Sequence, residues 1–257
     1  MLSLTDYVSH GLWLVPGWAK YDWLCHGLTT SLFGNLALHV GGEPSQVIAR
    51  RIQLADSLGF PLKNWVCADQ VHQTKIAQVT ACHKGRGADN LETALAETDG
   101  LITNETGILL ACFFADCVPL FFLVPERRIV GVGHAGWRGT AGQIAARMVE
   151  SLVKIYELDP SQIHAAVGPS IGKCCYQVGS QVARQFSESV IEQRENGYYL
   201  DLKQANCLQL EASGIKPDRI HCSSICTCCG EQFFSYRRSG IEAGRMAAVI
   251  GINHTEM

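Results

Sequence analysis

The segment Ala115-Asp-Cys-Val-Pro-Leu-Phe-Phe-Leu-Val-Pro-Glu-Arg-Arg-Ile-Val-Gly-Val-Gly-His-Ala-Gly-Trp-Arg-Gly139 holds two apolar runs, Val118–Val124 and Ile129–Val132, separated by a short Pro-Glu-Arg-Arg connection. Short apolar runs on either side of a turn signal predict a hairpin of two buried strands. Cys117 stands just before the first run and His134 just after the second. An antiparallel hairpin sets the start of its first strand beside the end of its second. A thiol and an imidazole should therefore lie side by side at one sheet edge. Gly131, Gly133, Ala135, Gly136 and Gly139 surround the histidine and allow close approach by a ligand or another backbone.

Upstream of the hairpin, residues 11–33 suggest two short strands, and Asn35–Val40 reads as a third followed by a turn. Ser45 is placed to cap a helix whose apolar residues are Ile48, Ile52, Ala55 and Leu58, with Gly59 ending it. Arg50 and Arg51 on that helix are expected on a solvated face. Trp65–Val71 and Lys75–Thr80 read as strands joined by a turn carrying His72, residues 82–98 as an exposed loop, and Asp99–Thr103 and Gly107–Phe114 as further strands. Downstream, Thr140 or Gly142 opens an amphipathic helix with the stripe Ile144, Met148, Leu152 and Ile155. Ile163–Val167 reads as a strand running into Gly168-Pro-Ser-Ile-Gly172. Val178–Phe186 and Leu202–Leu210 read as helices, and Ile220–Ser223, Phe233–Tyr236 and Arg245–Ile252 as strands.

Strands dominate, several in adjacent antiparallel pairs, with about four helices between them. This predicts a single mixed α/β (α+β) domain over residues 1–257, with layered sheets. The spacing G-x-G-x-x-G occurs at Gly131–Gly136, but it begins inside the second run of the hairpin and not after a strand, so no dinucleotide site is indicated. A chain of 257 residues that is 47% hydrophobic and 18% charged is expected to be globular. Its net charge of −3 gives no reason to expect nucleic acid or an anionic membrane as partner. No run approaches the ~20 apolar residues of a spanning helix. The N-terminus, Met-Leu-Ser-Leu-Thr-Asp-Tyr, lacks the basic start and apolar core of a leader. Twelve cysteines in such a chain read as free thiols in a reducing cytoplasm. A monomer is the default expectation.

Three chemistries suit Cys117 beside His134. The pair can be plain core packing, a nucleophilic dyad in which the imidazole takes the thiol proton, or part of a metal site. A metal site needs a third ligand, and His72, on a polar turn with Gln70 and Gln73, is the candidate. Two imidazoles and one thiolate leave a coordination position open, as in catalytic zinc sites. Zinc there would activate a water or polarise a substrate oxygen. Asp116 reads either as an orienter of a histidine and proton handler or as a turn cap. Arg51, Arg138 and Arg245 are candidates for bidentate capture of phosphate, against the plainer reading of solvated charge. Gly168–Gly172 could offer amides to an anion, or be a simple turn. Cys222, Cys226, Cys228 and Cys229 include one C-x-x-C spacing, and four-thiolate binding would have to recruit Cys174, Cys175 or Cys207.

The motifs Asn35-Leu-Ala-Leu-His-Val-Gly, Gln70-Val-His, Asp99-Gly-Leu-Ile-Thr, Ala115-Asp-Cys-Val-Pro and His134-Ala-Gly-Trp-Arg-Gly-Thr run in order along the chain. Gly168-Pro-Ser-Ile-Gly, Cys175-Tyr-Gln-Val-Gly, Cys226-Thr, Phe234-Ser-Tyr-Arg-Arg and Gly244-Arg follow them. Together they resemble the laccase-domain family of multicopper polyphenol oxidases, also called purine nucleoside phosphorylases with adenosine deaminase activity. The resemblance implies His72, Cys117 and His134 as the metal triad. It implies an α/β/β/α sandwich akin to the catalytic domain of cytotoxic necrotising toxins. It also implies phosphorolysis of adenosine, inosine and methylthioadenosine, with adenosine deamination. Gly41-Gly42, Arg50-Arg51 and Gln73 depart from the family's usual Gly-Asp, Asn-Arg and glycine, and Cys228 and Cys229 lie outside its pattern.

The leading expectation is thus a zinc enzyme on purine nucleosides, with small molecules and phosphate as partners. The combined deaminase signature, His-x-Glu followed by Pro-Cys-x-x-Cys, is absent, so deamination would use a different scaffold. A copper-dependent polyphenol oxidase is one alternative, with Cu2+ in the triad. Nine scattered histidines with no His-x-His pair argue against several copper sites. A metal-free Cys117–His134 hydrolase acting on a cell-wall precursor is another alternative. A protein with a purely structural metal that binds a partner is the last.

Overall fold

The computed structural model describes residues 7–254, so most of the N-terminal segment read for a leader lies outside the described residues. In chain order the strands and helices begin with β1 (Tyr7–Ser9), β2 (Leu12–Leu14), β3 (Leu24–Thr29), α1 (Pro44–Leu58), β4 (Trp65–Cys67) and β5 (Ile76–Gln78). They continue with β6 (Gly100–Thr103), β7 (Leu109–Phe114), β8 (Val118–Val124), β9 (Ile129–Ala135), α2 (Trp137–Ala141), α3 (Ile144–Tyr156) and β10 (His164–Val167). After these come β11 (Gln177–Val178), α4 (Ser180–Ala183), β12 (Ile191–Arg194), β13 (Gly197–Leu200), α5 (Leu202–Ala212), β14 (Ile220–Cys222), α6 (Tyr236–Ser239) and β15 (Met246–Ile252).

Two six-stranded mixed sheets carry the fold, in the orders β1-β2-β3-β15-β7-β4 and β14-β10-β8-β9-β6-β5, with a small three-stranded sheet β11-β13-β12 beside them. Their central strands are apolar on both faces, and alternation divides each strand between two cores. In β7, Leu110, Cys112 and Phe114 point between the sheets, while Leu109, Ala111 and Phe113 face the layer of α1. In β8, Phe121 and Leu123 meet the first sheet, while Leu120, Phe122 and Val124 meet Ile144, Met148 and Leu152 of α3 and Leu210 of α5. The architecture is therefore helix, sheet, sheet, helix, as expected.

Several local expectations are corrected. Asn35–Val40 is not a strand: the Asn35 side chain accepts from Ala37 N at 3.1 Å and donates to Ala37 O at 3.0 Å, which curls the backbone. β4 and β5 are not a hairpin but belong to different sheets, so the connection carrying His72 crosses from one sheet to the other. Residues 82–98 are not simply exposed, since Ala88, Ala94 and Leu95 are buried. Phe233–Tyr236 is not a strand, because Ser235 caps α6 by accepting from Arg238 N. Val178–Phe186 splits into β11 and one helical turn.

Helix α1 ends as predicted, at Gly59 with φ 70, but Glu43 rather than Ser45 occupies the N-cap. Its buried face is Val47, Arg51, Leu54 and Ala55, while Ile52 is 46% exposed. An arginine at the centre of the apolar face shifted the stripe away from the apolar pattern. Likewise Ile155 of α3 is exposed, and Ala145, Val149 and Tyr156 complete its buried face.

His26 of β3 is buried, and its Nε2 accepts from Val15 N at 3.1 Å. Burial lowers its pKa from 6.5 to about 4. The unfolded chain therefore binds a proton near pH 6.5 that the folded chain refuses until near pH 4. Stability is whole above pH 6.5 and falls as the pH drops to 4, by about 3 kcal/mol from this group. Denaturant melts at pH 7 and pH 4.5 should show the loss, and His26→Gln should reduce it.

Candidate active site

In the central hairpin Val118 pairs with Ala135 and Pro119 with His134, so Cys117 lies one step beyond the pairing, beside Gly136. His134 shares the inner face of β9 with Val130 and Val132, and its ring meets the edge of Phe114 at 5.3 Å between centroids. The site thus opens at one end of the space between the two sheets. His72 arrives on the crossing from β4 to β5, with φ 61, and its ring stands edge-on to His134 at 4.7 Å. One ligand atom from each of His72, Cys117 and His134 falls within 4.8 Å of the others. The structure therefore brings the three predicted residues together.

What holds them is Asp99, a fully buried carboxylate just ahead of β6 that sequence reasoning left without a role. Its Oδ1 accepts from His134 Nδ1 at 2.8 Å and from His72 N at 3.0 Å, and its Oδ2 from Gln73 N at 2.8 Å and Val71 N at 3.3 Å. One side chain fixes both the His72 turn and the tautomer of His134, leaving His134 Nε2 for Cys117 or a metal. The left-handed backbone of His72 is sustained by this clamp. The signal available in the sequence was an aspartate immediately before a buried strand in a family motif.

The electrostatics match. Burial, the largest influence on Asp99, pushes its carboxyl up, but the His134 ring and the loop amides together bring it below the usual range. Burial also opposes ionisation of Cys117, yet His134 and His72 outweigh it and lower the thiol from 9.0 to about 6. His134 is depressed by burial but raised more by Cys117 and Asp99, from 6.5 to about 9. Each group therefore favours the charged form of the other, Cys117 towards thiolate and His134 towards keeping its proton. A low-pKa thiol with two imidazoles, His134 giving up its Nε2 proton on binding, is a donor set suited to zinc or copper.

Asp116 sits beside the triad but does not orient a histidine. Its backbone is left-handed, with φ 80, and it lines the cavity while its carboxylate is engaged by other donors. Thr227 Oγ1 donates to Oδ1 at 2.7 Å, while Ser235 Oγ at 3.0 Å and Arg237 N at 2.6 Å donate to Oδ2. Asp116 is thus bonded to the segments bearing Thr227 and Ser235, and the carboxylate in contact with His134 is Asp99. The Gly168–Gly172 loop is likewise no anion cradle: Gly168 N donates to Pro119 O, Ile171 N to Asp116 O and Gly172 N to Cys226 Sγ.

A cavity of about 510 Å³ adjoins the triad and is lined by Arg138, Arg245, Arg237, Tyr176, Tyr236 and His39 among others. That volume suits a small organic ligand, for which pockets run from about 300 to 1,000 Å³. Arg138 stacks on Trp137 with its guanidinium carbon 4.3 Å from the ring centre, and Arg245 is half-buried. Arg51 is not among the lining residues. It is 1% exposed, and its donors reach Leu36 O, Gly87 O and Ala88 O at 2.7, 2.8 and 2.7 Å. The substrate-binding expectation for Arg51 is thereby corrected to a structural one. Tyr176, Tyr236, Arg237 and His39 are the lining residues sequence reasoning passed over, and only their motifs marked them.

Gly136 is small because the triad needs the space: a Cβ there would lie 2.8 Å from His72 Cδ2 and 3.1 Å from Cys117 Sγ. Its φ of −73 suits any residue, so the constraint is steric. Gly136→Ala should weaken metal binding at the triad at least about tenfold, at a stability cost of about 1–2 kcal/mol. Competition titration with a chromogenic chelator and a thermal melt would measure the two effects.

A family model described as multi-copper polyphenol oxidoreductase laccase matches residues 26–253. Purine nucleoside phosphorylase YlmD of Geobacillus stearothermophilus is 44% identical over 257 residues, covering 93% of this chain and 94% of the relative. Purine nucleoside phosphorylase YlmD of Bacillus subtilis is 40% identical over 226 residues, covering 85% and 81%. The crystal structure of YlmD from Geobacillus stearothermophilus superposes with a TM-score of 0.92 at 41% identity, covering 98% of this chain and 99% of that one.

Proposed function

The chain belongs to the multi-copper polyphenol oxidoreductase laccase family, and on that premise we propose that it is a purine nucleoside enzyme with zinc held by His72, Cys117 and His134. Its reactions are phosphorolysis of adenosine, inosine and methylthioadenosine, together with deamination of adenosine. The observation that carries this reading is the composition of the cavity: cationic and flat aromatic side chains share one wall system with the converging His72, Cys117 and His134. The names of the relatives, purine nucleoside phosphorylases, agree with it.

The metal fits the residues present. Two imidazoles and a low-pKa thiol converge, and a buried carboxylate holds the Nδ1 proton of one imidazole. A bound zinc supplies Lewis acidity at the edge of the cavity. The protein's own groups do the rest. Tyr176 and Tyr236 offer faces to a planar purine. Arg138 and Arg245 neutralise and orient phosphate, which a planar guanidinium grips through paired donors. In phosphorolysis a phosphate oxygen bonds to C1′ while the C1′–N9 bond breaks, its electron pair leaving with the base, which gains a proton. Holding the anion and nucleoside together converts an encounter into an intramolecular step. In deamination water supplies the oxygen that replaces the amine at C6, and ammonia leaves. Asp116 acts by positioning: it ties the segment bearing Tyr236 and Arg237 to the hairpin.

Among the described residues no helix is long and apolar enough to cross a membrane. We place the enzyme in the cytoplasm, where its free cysteines stay reduced, and as a monomer.

The test is base release from adenosine, inosine and methylthioadenosine with and without phosphate, on protein of known metal content. Phosphate-dependent release of base with a pentose 1-phosphate supports the reading. Oxidation of phenols by the copper-loaded protein, without nucleoside cleavage, would replace it with the oxidase. Activity of metal-free protein that thiol alkylation abolishes would replace it with the Cys117–His134 hydrolase.

A further inference from the structure

A second group of metal-ligating side chains lies behind the cavity wall. The sulfurs of Cys174, Cys175, Cys226 and Cys229 all fall within 4.8 Å of one another. Cys229 Sγ is 3.5 Å from Cys174 Sγ and 3.4 Å from Cys175 Sγ. A disulfide would bring two sulfurs to about 2.05 Å and leave the others aside. Four thiolates around one zinc at ~2.3 Å stand about 3.8 Å apart, close to the spacing seen.

The backbone around Cys226 favours its thiolate as well. Gly172 N donates to Cys226 Sγ at 3.2 Å, and the amides of Cys228 and Cys229 point at the same sulfur. The Cys226-Thr-Cys-Cys229 turn thus wraps its own backbone donors around its first cysteine. Gly172 has no room for a side chain between the two halves: a Cβ there would lie 3.2 Å from Cys174 Sγ and 3.3 Å from Cys226 Cβ. Four thiolates and one Zn2+ carry a net charge of −2, and guanidinium groups bind the same turns. Arg237 donates to Cys175 O and Gln177 O at 3.0 Å each, and Arg238 to Thr227 O at 2.8 Å and Cys228 O at 3.3 Å.

We propose that Cys174, Cys175, Cys226 and Cys229 form a closed, structural four-thiolate zinc site that pins together the two loops forming one wall of the cavity. Those loops follow β10 and β14, and among the described residues they meet in a short parallel bridge, Ser170 with Cys226. The first loop carries Ile171 and Tyr176, and the second runs on to Tyr236 and Arg237. Four protein ligands complete a tetrahedron, so this site offers no open position and does no chemistry. The C-x-x-C pair of the sequence finds its partners in adjacent Cys174 and Cys175. Cys222 instead meets Cys207 across the β14 and α5 contact.

Metal content separates this site from the triad, whatever the enzyme's activity. Protein purified under reducing conditions without added metal is analysed by mass spectrometry, alongside a His72→Ala/Cys117→Ala variant that disables the triad. The variant is expected to retain about one zinc per chain, with X-ray absorption reporting four sulfurs at ~2.3 Å. In the otherwise wild-type chain, Cys226→Ser/Cys229→Ser should lose about one zinc, and hydrogen exchange should rise at least tenfold in residues 168–177 and 224–238. A triad-disabled variant with no zinc would overturn the proposal, even if the cysteine variant failed to fold. Iron in place of zinc would overturn the metal assignment. An intact mass about 2 Da low before reduction, with no zinc, would show a disulfide pair instead and likewise overturn it.

Discussion

Arg51→Met is expected to destabilise the protein by about 3–5 kcal/mol, among the largest effects of any single substitution away from the triad. The guanidinium is almost wholly buried within the apolar face of α1 and bonds three backbone carbonyls from two distant segments. It also lies over the Phe113 ring, its central carbon 4.4 Å from the centroid. Burial pulls its pKa down, with Cys67 and Asp89 opposing, so the charge is retained only because those acceptors satisfy it. Methionine fills similar volume but leaves Leu36 O, Gly87 O and Ala88 O without this donor. Lysine carries the charge on one nitrogen that cannot span all three, so Arg51→Lys should recover only part of the loss. A domain of this size loses about 2–4 °C in Tm per kcal/mol, so a melt should shift by roughly 10 °C. Below the transition, KM for phosphate should stay within about twofold of wild type, since Arg51 does not line the cavity. A raised KM with an unchanged Tm would return Arg51 to the substrate.

Asp99→Asn should do the reverse: modest damage to the fold and severe damage to the site. The substitution is isosteric, but an amide offers one accepting oxygen where the carboxylate has two, each receiving two donors. Its NH2 must face either the amides of Val71 and Gln73 or the Nδ1 proton of His134. In the second case His134 turns its proton towards Nε2 and ceases to present a lone pair to the metal. In the first, the left-handed turn of His72 loses its clamp. Removing such a partner behind a ligand costs about 10- to 100-fold in metal affinity or activity, and here both proposed ligands share it. We expect at least a hundredfold loss in kcat/KM, with a stability loss of about 1–3 kcal/mol. Zinc affinity measured by competition should fall in step, while circular dichroism stays unchanged. Full metal affinity in Asp99→Asn would show that His72 and His134 need no such support.

Much of the site was legible because it is local in the hairpin. Cys117 and His134 face each other through the register of one tight turn, and that register follows from the short connection between the two apolar runs. Ligand chemistry points to His72, but the turn that carries it spans two sheets. The β4–β5 segment crosses between sheets, and nothing in its short apolar runs distinguishes a crossing from a hairpin. Arg51 was placed on a solvated face and also among the phosphate binders because helical patterning counts an arginine as polar. Its three carbonyl partners belong to segments up to 37 residues away.

The chain's own pattern determined the hairpin, the two-sided burial of its central strands, the helices on the outer layers and the Cys117–His134 pair. These follow from side-chain period and turn chemistry, which act over a few residues. Only the tertiary structure decided that Asp99 clamps both histidines, that Asp116 anchors a wall instead, and that Cys174 and Cys175 meet Cys226 and Cys229. Those groupings join residues separated by tens of positions. They exist because packing the two sheets face to face brings the ends of β6, β7 and β10 to one edge, and no local periodicity encodes that convergence.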